Sequence, residues 1–204
     1  MTMAIINEFH EPHVRFEHLL KLMNSRKFLD MTGPSNDVPY YICPFRVEET
    51  QSMYQYIGQL KNALSLKQIK VLEINLYRLT IEHLSAIGEL ARHVQDEPHT
   101  SRELFFKSIS GLTDTKDFIC PLMIDKILEA SPDVVFITGV GEVYPYIRSH
   151  KILSTLESKF TECPLVLFFP GKYETDSVKG SNLTLFGILD DKYYRAFNIY
   201  HCEP

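Results

Sequence analysis

Three runs constrain this chain more than anything else in it: IKVLEIN at 69–75, DVVFITG at 133–139 and PLVLFFP at 164–170. Each is apolar at nearly consecutive positions and rich in β-branched or aromatic residues, which is how strands covered on both faces read. A shorter run, YYIC at 40–43, closes at Pro44. Between the runs, apolar residues recur at helical spacing. Val47, Met53, Tyr54, Ile57, Leu60 and Leu64 form one such series; Leu76, Leu79, Leu84, Ile87 and Leu90 form another. Further helices are predicted over 13–24, around 101–110 and 115–130, and over YPYIRSHKILSTLESK, with Pro145 in the first turn of the last.

Strand and helix therefore alternate through most of the chain. The economical solution is an α/β fold, a mostly parallel sheet with helices on both faces. Turn chemistry clusters in GPSNDVP at 33–39, and QDEPHTS at 95–101 breaks the chain again. The C-terminal end reads differently. LTLFGIL, DDK and YYRAFNIY predict a β-hairpin whose charged turn holds Asp190 and Asp191 as solvated residues.

With 204 residues, 45% of them hydrophobic, the chain can fill one ordinary core, and residues 1–204 are read as a single domain. Its formal net charge of −5 argues against broad nucleic-acid binding, which needs concentrated Lys and Arg. Direct binding to DNA or RNA is not expected. No stretch approaches the length of a membrane span, and the N-terminal MTMAIINEFHEPH has no basic, apolar leader pattern. Cys43, Cys120, Cys163 and Cys202 form no CxxC pair and are expected as reduced, mostly buried thiols of a cytoplasmic protein.

The stretch TGVGEVYP, at the end of a strand, has the layout of a phosphate loop without its chemistry. Tyr144 stands where a dinucleotide fingerprint needs its third glycine, and no GxxxxGK[ST] occurs. The scaffold is thus like that of a P-loop NTPase without a Walker A motif. Gly139 and Gly141 could still present amides to an anion, with Arg148 and His150 close by in sequence; a structural strand-to-helix turn is the plainer reading. Gly171 and Lys172 in PGKY lack the rest of a phosphate motif. Tyr144 and Tyr146 are possible partner anchors, and Tyr194 with Arg195 could stack on bases but fit a packed strand better. HEPH at 10–13 is not HExxH, so His10, His13 and His18 are expected at the surface and no metal or cofactor is expected. No serine or cysteine lies in a nucleophile signature, so no catalytic residue is assigned.

Taken together, FITGVGEVYPYIRSH, PLVLFFPGKY, LTLFGILDDKYYRAFNI and IKVLEINLY resemble the BrxB family, a component of the BREX bacteriophage-exclusion systems, in order and spacing over about residues 13–200. The segment ETDSVKGSN between Tyr173 and Leu183 looks longer than in that family. The resemblance implies a small accessory protein that works beside a methyltransferase, a large ATPase and PglZ, a member of the alkaline-phosphatase superfamily. It carries no catalytic residues with it. It implies a non-catalytic adaptor that binds the PglZ-type component, and possibly other BREX components. The alternative is a degenerate nucleotide- or nucleic-acid-binding regulatory domain within the same system.

Overall fold

A computed structural model describes residues 6–32, 39–176, 180–186, 189–192 and 196–204. The chain begins with helix α1 (Pro12–Met23), which has Pro12 at its first turn, and a one-turn helix α2 (Arg26–Leu29) capped by Ser25. Strand β1 (Tyr40–Phe45) leads through a 3-10 turn into helix α3 (Thr50–Ser65). Strand β2 (Val71–Asn75) passes directly into helix α4 (Leu76–Ala86), because the Asn75 side chain caps it by accepting from the Arg78 amide. Helices α5 (Glu89–Asp96), α6 (Arg102–Leu112) and α7 (Cys120–Ala130) follow, the last preceded by a π-helical turn at Thr115–Ile119. Then come β3 (Val134–Thr138), the four-residue α8 (Val140–Val143), α9 (Ser149–Glu157), β4 (Leu165–Asp176), β5 (Gly180–Leu185), β6 (Leu189–Lys192) and β7 (Phe197–Asn198).

The central strands run in the order β2-β3-β4-β1-β7, each pair parallel, as the alternating pattern predicts. Successive side chains of a strand point to opposite faces, and here both faces are apolar. Tyr40 and Ile42 of β1, Val135 and Ile137 of β3, and Leu165, Leu167 and Phe169 of β4 join the core of one layer, which holds α4, α7 and α9. Tyr41, Cys43, Phe45, Val134, Phe136, Val166 and Phe168 join the other, which holds α1, α2 and α3. That double burial is why these strands read as unbroken apolar runs rather than as alternation. Phe136 and Phe168 meet edge to face at 5.1 Å in the second layer.

Several boundaries differ from expectation for identifiable reasons. Pro44 does not stop β1, which runs on to Phe45: β7 pairs with β1 only at Tyr41 and Ile42, so the proline falls where β1 is paired on one side only. The series from Leu76 to Leu90 is two helices, because Gly88 takes φ 75° and breaks it. The helix expected over 144–159 begins at Ser149, and Pro145 lies in the preceding turn, after a cis Tyr144–Pro145 bond. Strand β4 continues past Pro170 to Asp176 and turns antiparallel against β5, so much of ETDSVKGSN is strand. The C-terminal hairpin is β5 with β6, in a register shifted from the expected one. Asp190 and Asp191 lie in strand β6, opposite Thr184 and Leu183, and not in the turn. The last β-rich run instead returns Phe197 and Asn198 to the edge of the parallel sheet beside β1. Among the described residues no helix is long and apolar enough to cross a membrane.

Candidate functional site

From the carboxyl end of β1 the chain leaves toward the α3 layer, and from the end of β3, on the other side of β4, it leaves toward the opposite layer that holds α9, while β4 itself runs on into the antiparallel arm. Open α/β sheets form their ligand crevice at such a reversal. A cavity of about 210 Å³ lies there, walled by Phe45 of β1, Met53 and Ile57 of α3, Phe168 and Pro170 of β4, and Phe186 from the turn after β5. Residues Thr138 to Glu142 close its remaining side.

Gly139 caps α8 at φ 76°, and a Cβ on it would come within 2.9 Å of the Asn75 Oδ1 that caps α4. The left-handed conformation and the close approach both call for glycine. A Cβ on Gly141 would stand 3.0 Å from the Phe186 ring and 3.1 Å from Pro170. The β4–β5 arm thus folds down onto the glycine turn. Thr138 Oγ1 donates to Glu73 Oε1 at 3.0 Å, and Lys61 Nζ donates to Glu73 Oε2 at 2.7 Å. The Tyr54 hydroxyl donates to Glu142 Oε1 at the mouth. Burial, followed by that bond and the carboxylate's charge, raises the Tyr54 hydroxyl above its ordinary range, so it stays a proton donor.

The other singled-out residues fall into three places. Tyr144 meets Phe186 edge-on at 6.3 Å, and the Arg148 guanidinium stands 5.6 Å over the Tyr144 ring. Tyr146 turns away and stacks on Phe106 of α6 at 5.4 Å. His150 is half-buried in the first turn of α9, which starts beyond the glycine turn. Gly171 is buried in β4 against Leu185 of β5, and Lys172 beside it is exposed. Tyr194 and Arg195 lie outside the described residues. The structure brings Gly139, Gly141, Tyr144 and Arg148 around Phe186, while Tyr146, His150 and Lys172 stand apart.

Positive charge is absent from the cavity's lining, and the carboxylate of Glu142 is present. Those are poor terms for a phosphate, whatever the backbone of the turn resembles. The sequence alone does not point to Phe186, Tyr54 or Glu142 as members of this site. The helical spacing that identifies α3 places Met53 and Ile57 on a buried face, but nothing local says that a turn 45 positions downstream of Gly141 covers it. Among the described residues no group of three or more His, Cys, Asp or Glu is placed to hold a metal ion.

A second polar cluster, also unmarked in the sequence, sits under the α1 side of the sheet. Arg15, 2% exposed, binds Glu49 through both guanidinium branches at 3.1 and 3.0 Å, and Arg46 donates to the same carboxylate at 2.6 Å. Cys43 and Tyr200 meet beside it at 3.4 Å. His18, expected at the surface, is half-buried instead: its Nε2 is 3.3 Å from the Ile199 carbonyl, and burial lowers its pKa.

The family model for BREX protein BrxB matches residues 72–199, a span that holds all of β3 and β4, nearly all of β2 and the whole glycine turn. The chain belongs to the BrxB family. It is 32% identical over 193 residues to the BREX protein BrxB of Bacillus cereus (strain H3081.97), covering 91% of this chain and 95% of that relative. It is 27% identical over 186 residues to the BREX protein BrxB of Escherichia coli O9:H4 (strain HS), covering 91% and 90%. No solved structure matches the chain. Gly139, Gly141, Tyr144, Arg148 and Phe186 fall inside the matched span, whereas the α3 and β1 walls of the cavity lie before it.

Proposed function

We propose that the protein is a non-catalytic adaptor of a BREX bacteriophage-exclusion system, and that it docks the PglZ-type component through the α5–α6 side of the molecule. Membership of the BrxB family supports the system. One structural observation supports the docking role: helix α6 (Arg102–Leu112) carries Leu104, Phe105, Phe106 and Ile109, yet buries only Ile109. Leu104 is 63% exposed and Phe106 39%, and on the companion helix α5 Val94 is 62% exposed. A single exposed leucine means little, but a helix that leaves both Leu104 and Phe106 in water fits a partner's surface better than a finished one.

Polar and ring contacts join α5 to α6, with the His93 and Phe105 rings 6.0 Å apart. His93 Nε2 and the Ser108 hydroxyl pair at 2.8 Å, and His93 Nδ1 lies 2.9 Å from the Glu89 carbonyl. The stacked Phe106–Tyr146 pair carries the apolar surface on to the turn before α9. Tyrosine and other aromatics at the edge of such a surface supply rigid contact area at low entropic cost. The nucleotide-binding alternative gains no support from the acidic, cation-free lining of the glycine-turn cavity.

Co-expression with the PglZ-type protein of the same operon, followed by size-exclusion chromatography in moderate salt, tests the reading. Co-elution at a fixed ratio is the expected result. Separate elution of both proteins at micromolar concentration would remove it.

A further inference from the structure

The cavity at the glycine turn has a size, a lining and a charge that select a ligand independently of any docking surface. We propose that it is a binding site for a single planar ring bearing a positively charged amine or amidine, with the ring between the apolar walls and the cationic head at Glu142. Volume makes the first selection. About 210 Å³ exceeds the ~150 Å³ that accommodates benzene in an engineered protein cavity, and falls below the ~300 Å³ at which drug-sized pockets begin. One ring with a short substituent fits. A nucleotide with its phosphates would extend beyond it.

The walls make the second. Phe45, Phe168 and Phe186 offer aromatic surface, Met53 a polarisable thioether, and Ile57 and Pro170 complete an apolar enclosure. Gly141 sets the shape, because any side chain there would press on Phe186 and Pro170, both of which line the space.

Charge makes the third selection. The polar groups around the cavity are already committed in one direction. Thr138 donates to Glu73, and Tyr54 donates to Glu142. A carboxylate accepts several hydrogen bonds, so after Tyr54 it keeps acceptor sites for a ligand N–H. None of the lining side chains carries a positive charge to neutralise Glu142. A cationic head therefore gains a charge-assisted hydrogen bond, and an anionic one meets repulsion beside a low-dielectric wall. The flanking rings add a favourable face for a cation. The position, at the carboxyl ends of parallel strands where the chain reverses its side of the sheet, is where this architecture builds ligand sites.

The test is a titration of the full-length ¹⁵N-labelled protein with benzamidine, using benzoate as the charge-reversed control of the same ring. Benzamidine should shift the amides of Gly139, Val140, Gly141 and Phe186 saturably, and benzoate should bind at least tenfold more weakly. Glu142→Gln, with the rest of its spectrum unchanged, should erase that discrimination. Thr50→Phe, a half-exposed position on the cavity's rim, should block both ligands. Unmoved amides with benzamidine would overturn the proposal. So would equal binding of benzoate, or an undiminished preference in Glu142→Gln.

Discussion

Arg15 is the residue whose removal should be felt most. Its guanidinium is almost wholly buried, and the two hydrogen bonds to Glu49 are what make that burial tolerable. Breaking such a pair leaves one uncompensated buried charge, a cost of about 3–5 kcal/mol, whereas the intact pair contributes far less than that in net terms. Glu49→Gln should accordingly lower the urea midpoint by the equivalent of roughly 3 kcal/mol at pH 7. Its pH dependence has a definite sign. Burial works against the Glu49 charge, but the hydrogen bonds and charges of Arg46 and Arg15 outweigh it and hold the folded carboxyl below its ordinary value. The stabilisation is therefore complete above the unfolded value of about 4.3 and is lost as pH falls through the lower folded one. The gap between wild type and Glu49→Gln should close on acidification across that window.

The cysteines make a second prediction at the same scale. Burial pushes the Cys43, Cys120 and Cys163 thiols up to about 12 and Cys202 up to about 11. Thiolate is the reactive form, so all four should resist a disulfide reagent at pH 8 in the native protein and titrate together once it is unfolded. Rapid labelling of even one in the folded state would contradict that packing.

At the scale of elements, two glycines separate backbone strain from crowding. Gly88 and Gly139 have nearly the same positive φ, 75° and 76°. An added Cβ at Gly88 meets nothing within 4 Å, but at Gly139 it meets the Asn75 side chain that caps α4. Gly88→Ala should cost about 1 kcal/mol, the left-handed penalty alone. Gly139→Ala should cost distinctly more, because Asn75 must also move and α4 loses part of its cap. Chemical denaturation of the two variants decides it, and equal losses would mean that Asn75 yields without consequence.

Burial within each element decides how far its sequence reveals it. The strands β3 and β4's parallel half announce themselves because both of their faces are buried, so Val134 to Ile137 read as an apolar run wherever they occur, whereas the edge strand β2 buries only Ile74 fully. Helix α3 is legible from Met53, Ile57, Leu60 and Leu64 at helical spacing, all of them buried. The hairpin register was not legible. DDK has turn composition, but Asp190 and Asp191 are set into β6 by cross-strand pairing with Thr184 and Leu183, a tertiary choice that local propensity does not encode. The long β4 is similar: Pro170 and Gly171 look like a strand end, and pairing with β5 carries the strand past them. At the candidate site the glycines were visible and their covering was not. Phe186 reaches Gly141 only because β4 reverses into β5, so the site's lid depends on the antiparallel arm.

At the scale of the whole molecule, two sides carry different surfaces. One side of the sheet's carboxyl end holds a half-open apolar cavity with an acidic mouth, and the α5–α6 pair presents apolar side chains to water. Docking is proposed for the second. Charged substitutions there can be matched to the helix ends, so that folding is spared: Leu104→Glu falls in the first turn of α6 and Val94→Lys in the last turns of α5. The most direct measurement is the calorimetric affinity of the PglZ-type protein for the wild type and for the Val94→Lys/Leu104→Glu double variant. At least a tenfold loss of affinity is expected, with a thermal midpoint close to that of the wild type. Undiminished affinity in a folded double variant would contradict the assignment of the α5–α6 face.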